Sequence, residues 1–219
     1  MRTIRKNNPP KELIKYGKEK FSTYQSYKYT KELRQSLVDE QRGICCYCMS
    51  RIEPELKSGE TEMKIEHWQC QKNFPEKQLD YDNLLGACKG NEGAPPKEQH
   101  CDTRKGDKPL SKNPANPAHC VESFIFYKFS DGTIFSNDKK FNKELNDILN
   151  LNISYLRNNR KSVLLNYLRG LDKKRGQRGW DKAFLEKELA QWNGENDNDN
   201  LAPYCQVIVY WLKKCLARA

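Results

Sequence analysis

The sequence predicts an α+β protein: a small metal-stapled module with short strands, extended by a helical C-terminal region. Three observations carry that prediction. Cysteines fall into two half-sites, Cys45-x2-Cys48 and then Cys88 with Cys101, in a region rich in loops. Two runs with strand character, Met63 to Trp68 and Phe124 to Phe135, lie on either side of the second half-site. Beyond Asn137 the apolar residues recur at helical spacing.

In chain order, residues 1–44 read as a basic N-terminal helical arm. Pro9-Pro10 is a break, and a short basic helix runs from about Pro10 to Lys20. Lys31 to Arg42 puts Leu33, Leu37 and Val38 on one helical face, with Thr30 as candidate N-cap and Gly43 as the stop. The first half-site follows at once, and residues 49–62 are polar and loop-like. MKIEHW (63–68) alternates as a short strand does and ends on Glu66-His67. A turn follows, then apolar Leu84-Leu85, and KGNEGAPPKEQH (89–100) loops between Cys88 and Cys101. A short helix begins near Cys101 and is closed by Gly106 and Pro109. Phe124–Phe129 and Thr133–Phe135 around Ser130-Asp131-Gly132 read as a hairpin. Leu145, Ile148, Leu149, Ile153 and Leu156 form one helical stripe, and Val163, Leu164, Tyr167, Leu168 and Leu171 another. Helices at 181–193 and 203–217 follow, parted by polar 194–200. The expected organisation is therefore 1–44, a metal-bound core with its hairpin over 45–136, and a helical region over 137–219.

Composition narrows the class. With 219 residues, 37% of them hydrophobic, and a mean hydropathy of −0.96, the core is modest and a metal staple would help it. No apolar run approaches the roughly 18–20 residues of a membrane span. The basic opening lacks the apolar stretch of a secretory signal, so a cytoplasmic protein is expected. Nine cysteines, an odd count at uneven spacing, then favour metal binding over disulfides. Cys205 and Cys215 sit in an apolar C-terminal stretch and read as buried thiols. The net charge of +10 is uneven, at +6 over residues 1–44, −2 over 45–106 and +6 over 107–219. That suits a phosphate backbone held by the flanks, with central carboxylates holding a cation. Ordinary solvated lysines explain the charge equally well.

The chemistry concentrates between the half-sites. Structural zinc takes four soft ligands at tetrahedral corners, and Cys45, Cys48, Cys88 and Cys101 make one such set. Cys46, Cys70 and His100 remain as alternative ligands. A single His at a strand end is ordinarily structural, but His67 follows a carboxylate and lies between two half-sites. Neutral imidazole can serve as general base for phosphodiester hydrolysis. The reaction also needs a cation against the developing charge. Glu66 and Asp102 are oxygen donors suited to Mg²⁺ or Mn²⁺, and Asn83 could hydrogen-bond across the loop to orient His67.

The order C-x2-C, Glu-His, Asn, Cys and Cys-Asp-x2-Lys resembles the zinc-stapled HNH endonucleases. RTIRKNNPPKEL, EQRGICCYCMSRI, IEHW, YDNLLGAC, HCDTRKGD and LNLNISYLRNNR are similar to the PtuB-like HNH subunit of Septu-type and retron-associated antiphage systems. The likeness reaches across about the first three-quarters of the chain. It implies a ββα-metal core, with His67 as general base, Asn83 as the middle positioning residue, and Glu66 and Asp102 as ligands of the catalytic cation. Asp102 stands where that family usually has His or Asn, which leaves the metal preference open. Twelve residues separate Cys88 from Cys101 instead of the usual two. The likeness also implies a partner ATPase of the ABC/SMC-like type, and this chain has no Walker motif of its own.

Arg157 to Arg178 holds eight Lys or Arg against one acid, Asp172. With Arg104 and Lys105, the candidates for phosphate contact are Arg157, Arg160, Lys161, Lys173, Lys174 and Arg175. The last helix, with Val207 to Leu212, is apolar nearly all round and is expected to be buried in this chain or under a partner. Double-stranded DNA is the default substrate, and RNA, including tRNA, stays open. A zinc-structured adaptor that binds without cutting is the competing reading, since it would keep the cysteines and the charge. A cysteine-nucleophile enzyme is weaker, because Cys45, Cys46 and Cys48 crowd one another.

Overall fold

The computed structural model describes residues 1–55, 61–175, 180–195 and 200–218, without the side chains of 172–175. The α+β prediction holds. Helices α1 (Lys11–Gly17) and α2 (Thr30–Gln41) precede strands β1 (Met63–His67) and β2 (Leu84–Cys88), and the five-residue α3 (Cys101–Lys105) follows. Strands β3 (Phe126–Tyr127) and β4 (Ile134–Phe135) lead to α4 (Lys139–Lys143), α5 (Ser154–Arg175), α6 (Lys182–Trp192) and α7 (Cys205–Leu216).

β1 and β2 pair antiparallel, with Met63 opposite Cys88 at one end and His67 opposite Leu84 at the other. The pairing thus separates a cysteine end from a histidine end by the length of the strand. Gln41, at the foot of α2, locks this ladder to the first half-site. Its amide donates to the Ile44 and Gly86 carbonyls, both at 2.8 Å, and accepts from the Gly86 amide at 2.6 Å. Gly86 leaves the space for that contact, since a Cβ there would come within 2.9 Å of Ile52 Cδ1 and 3.2 Å of Gln41 Nε2.

The largest buried cluster draws on all three stretches of the chain. Met1 and Ile4 pack with the half-site cysteines, Leu85, Leu145, Leu156, Ile208 and Leu212. A second cluster, Leu13, Tyr27, Leu33, Leu37, Tyr81 and Leu84, seats α1 and α2 at the histidine end of the strands. α7 is buried through Cys205–Val209 and Leu212 and packs on α5, α6 and β3. Its all-round apolar character is therefore met largely within this chain. Among the described residues, no helix is long and apolar enough to cross a membrane.

Three local expectations need correction. Thr30 is the first residue of α2 and not its cap; Tyr29 holds the cap position without a side-chain bond. The helix stops as Arg42 and Gly43 both turn left-handed (φ 55° and 73°). The hairpin is real but has only two residues per strand, and Val121–Phe124 is a 3-10 turn. Asn152 bonds both the amide and the carbonyl of Ile134, closing the outer edge of β4 to a third strand. In the stripe from Leu145 to Leu156, Leu145, Leu149 and Leu156 are buried and Ile148 and Ile153 partly so, yet it is not one helix. A π turn over Glu144–Ile148 gives way to left-handed Asn150 (φ 51°) before α5 begins. Of the polar break at 194–200, residues 196–199 lie outside the described residues.

Candidate functional site

The four cysteines Cys45, Cys48, Cys88 and Cys101 bring their sulfurs within 4.8 Å of one another, all buried. The Cys45–Cys101 and Cys48–Cys88 pairs stand 3.9 and 3.6 Å apart. A tetrahedron with Zn–S near 2.3 Å has edges of about 3.8 Å, so the donor set could hold a zinc ion. Ser50 holds Cys48 through its amide at 3.4 Å and its hydroxyl at 3.1 Å from the sulfur. Burial raises these thiols. Against it, hydrogen bonds from neighbouring thiols, that of Cys101 foremost, bring Cys45 well below its ordinary value and Cys48 down to about 6. So many sulfurs in one dry pocket cannot all ionise without a cation.

Of the alternative ligands, Cys46 and Cys70 lie outside this group. His100 stands beside it, with Nδ1 3.2 Å from the Cys101 sulfur, placed as a hydrogen-bond partner of a ligand. The long 89–100 loop reaches the site by closing on itself. The His100 amide donates to Gly90 O at 3.0 Å, and Thr103 Oγ1 to Lys89 O at 2.8 Å. Gly90 sits at φ +57° with His100 O only 2.1 Å from where a Cβ would be. Asn150 secures the outer side through Lys97 O and Gln99 O, and the Cys101 amide bonds Leu149 O. The interruption in the helical stripe is thus the anchor of the last cysteine.

At the other end of the strands, His67 is buried and fixed on three sides. Nε2 lies 3.0 Å from Gln78 O, and Gln71 Nε2 lies 3.3 Å from Nδ1. A carbonyl can only accept, so Nε2 carries the proton and Nδ1 keeps its lone pair. The Tyr24 ring meets the imidazole edge-on at 4.5 Å. Burial lowers the imidazole pKa, opposed by the Gln78 carbonyl and the Asp102 charge. Asn83 does not touch His67. Its amide holds the intervening loop through Gln69 N (2.7 Å), Gln69 O and Lys77 O (both 3.0 Å), next to the carbonyl that fixes the ring.

Glu66 points the other way, into the interior, and is 2% exposed. Its Oε1 accepts from Tyr47 Oη at 2.7 Å and pairs with Lys105 Nζ at 2.8 Å. Burial first, and then the adjoining Asp102 carboxylate, push its carboxyl well above the usual range. Asp102 is partly open and lies 3.4 Å from Lys64 Nζ. Two neighbouring carboxylates must share a proton or a positive charge, and Lys105 beside Glu66 and Lys64 beside Asp102 bring that charge. Glu66 as a freely open ligand needs correction, because Tyr47 and Lys105 already use one of its oxygens.

The expected phosphate contacts also divide. Lys105 is 1% exposed and spends its ammonium on Glu66 and on His67 O at 3.1 Å. Arg160 is 3% exposed, with its guanidinium on Gly132 O (2.6 Å), Leu151 O (2.7 Å) and Asn152 Oδ1 (3.2 Å). Both are internal braces, and the expectation of phosphate binding fails for them. Arg104 bonds Pro96 O, Arg157 faces Asp131 at 3.6 Å, and Lys161 is half-buried. Lys173, Lys174 and Arg175 end α5, and their side chains, like all of Arg178, lie outside the described residues. Sequence reasoning missed Tyr24, Tyr47, Gln71 and Gln78. Only Tyr47 carries a signal in the sequence, as an aromatic inside the C-x2-C turn.

Comparison with known proteins finds no family model and no curated protein that matches this chain.

Proposed function

We propose that this chain is a zinc-stapled HNH-type endonuclease that hydrolyses nucleic-acid phosphodiesters, with DNA as the default substrate. The observation that carries the reading is the setting of His67, whose Nε2 lies 3.0 Å from the Gln78 carbonyl, which leaves Nδ1 as the basic nitrogen. The chain order β1, β2, α3 and the cysteine cluster are in keeping with the ββα-metal core that the sequence resemblance implies.

In this reading Nδ1 accepts a proton from water as its oxygen attacks phosphorus, and the Gln71 amide marks where that water stands. Asp102, with Glu66 beside it, would hold the Mg²⁺ or Mn²⁺ ion. When bound, the cation supplies positive charge to the phosphate and the departing oxygen. Lys105 ties α3 to the end of β1 and keeps base and carboxylate in register. Four cysteines around zinc would fix the far end of the same strands. The resemblance extends the proposal to an effector nuclease of a bacterial antiphage complex, with an ABC/SMC-like ATPase as partner.

The closed state of Glu66 favours one competing reading, a zinc-structured adaptor that binds nucleic acid without cutting it. The deciding experiment incubates supercoiled plasmid and a total tRNA pool with Mg²⁺ or Mn²⁺, using wild type and His67→Ala, each alone and with the ATPase. We expect divalent-dependent cleavage by wild type and its loss in His67→Ala at unchanged zinc content. Retention of nucleic acid without cleavage under every condition would establish the adaptor.

A further inference from the structure

At the cysteine end of β1 and β2 lies a cavity of about 900 Å³, which the proposed hydrolysis does not use. One wall is α5, from which Tyr155, Asn159, Ser162, Val163 and Asn166 all line it. Their spacing of four, three, one and three residues places them on one helical face. That face borders the open cavity, and Tyr155, Ser162 and Asn166 on it are exposed. It is mainly hydroxyl and amide with Val163 among them, while Leu156, Leu164 and Leu171 of α5 are buried in the main core.

The remaining walls are built for a flat, polar-edged ligand. Tyr167 and Trp192 meet edge-to-face at 5.2 Å and give an aromatic back wall. Tyr155 is 57% exposed at the cavity, an aromatic face open to a stacking partner. Asn159 donates to Tyr204 Oη at 3.1 Å, which keeps its amide oriented and its carbonyl oxygen available. Ser162 and Asn166 are exposed on the same face. Lys89 and Glu62 pair at 3.6 Å on the rim, which leaves it close to neutral. Cys88, Gly90 and His100 line the floor, so the cavity is fixed to the half-site that holds α3.

We propose that this cavity is a nucleobase site, in which Tyr155 stacks on an unpaired base and the Asn159 and Asn166 amides read its edge. The proposal rests on the nucleic-acid reading above and names the form of substrate, a single-stranded or extruded nucleotide. The strand from Met63, opposite Cys88, to His67 spans four steps, about 13 Å. At the 3.4 Å per nucleotide of a duplex strand, that is roughly four nucleotides, and fewer on an extended single strand. The base in the cavity therefore lies a few nucleotides from the bond facing His67.

The test uses zinc-loaded, full-length His67→Ala protein with fluorescein-labelled octanucleotides of a single base, in DNA and RNA series, read by anisotropy. We expect one base to bind best, Tyr155→Ala to weaken it roughly 5- to 100-fold, and Asn159→Ala with Asn166→Leu to flatten the preference. Tyr155 is more than half exposed, so its truncation leaves the core intact. Octanucleotide binding unchanged by Tyr155→Ala, or a base preference that survives loss of both amides, overturns the site. The DNA and RNA series decide the sugar. Tyr155-dependent binding by a wild type that never cleaves would sink the nuclease and keep the site. Cleavage indifferent to Tyr155 would do the reverse.

Discussion

Residue by residue, the least ordinary group in the molecule is Lys105. A lysine ammonium is almost never fully buried unless paired, and here it has three oxygens within reach, Glu66 Oε1, His67 O and Gly106 O. Removing it strands Glu66 in a dry setting beside Asp102, and breaking a buried pair by deleting one partner costs about 3–5 kcal/mol. Lys105→Met should therefore lower the unfolding free energy by about 3 kcal/mol in urea titrations. Lys105→Met combined with Glu66→Gln should recover part of that loss, because the stranded charge goes with it. Equal loss in single and double variants would show that the pair is not what Lys105 stabilises. The sequence made Lys105 and Arg160 look like surface cations, because a basic residue carries no local sign of burial. Their partners are a strand carbonyl 38 positions away and a turn carbonyl 28 positions away, beyond the reach of any periodicity.

Among the elements, those with a strong local rhythm were legible. α2, β1, α6 and α7 follow from apolar spacing and from Gly43, and the cysteine pairs gave the metal set by type and interval. What was not legible is set by side chains bonding distant backbone. Asn150 interrupts the stripe where it serves the 89–100 loop, and Asn152 closes the outer edge of the hairpin by bonding Ile134. The surroundings of His67 were half legible for the same reason: Glu66, Asn83 and Asp102 stand out by type, whereas Tyr24 and Gln78 come from loops with no pattern. The loop between Cys88 and Cys101 gives a sharp prediction. Gly90→Ala forces a left-handed alanine against His100 O and should displace Cys101 from the other three sulfurs. Zinc affinity, measured by chelator competition, is expected to fall at least about tenfold. Unaltered affinity would mean that the loop does not set the position of Cys101.

Taken whole, the molecule has little apolar material and spends much of it around one cysteine cluster, which shares a core with Met1, Leu145 and Ile208. Stripping a structural ion from such a core is an unfolding event. Prolonged chelation should lower the melting temperature by well over 10 °C or abolish a cooperative transition, as followed by circular dichroism, and re-addition of zinc should restore it. A melting curve indifferent to the chelator would mean that the sulfurs pack without an ion. The burial of those sulfurs has a kinetic side as well. With all four inside the protein, a chelator cannot approach them in the closed state, so exchange waits for the fold to open. Where capture outpaces reclosing, release of a bound ion would run at the rate of opening alone, the same at low and high chelator.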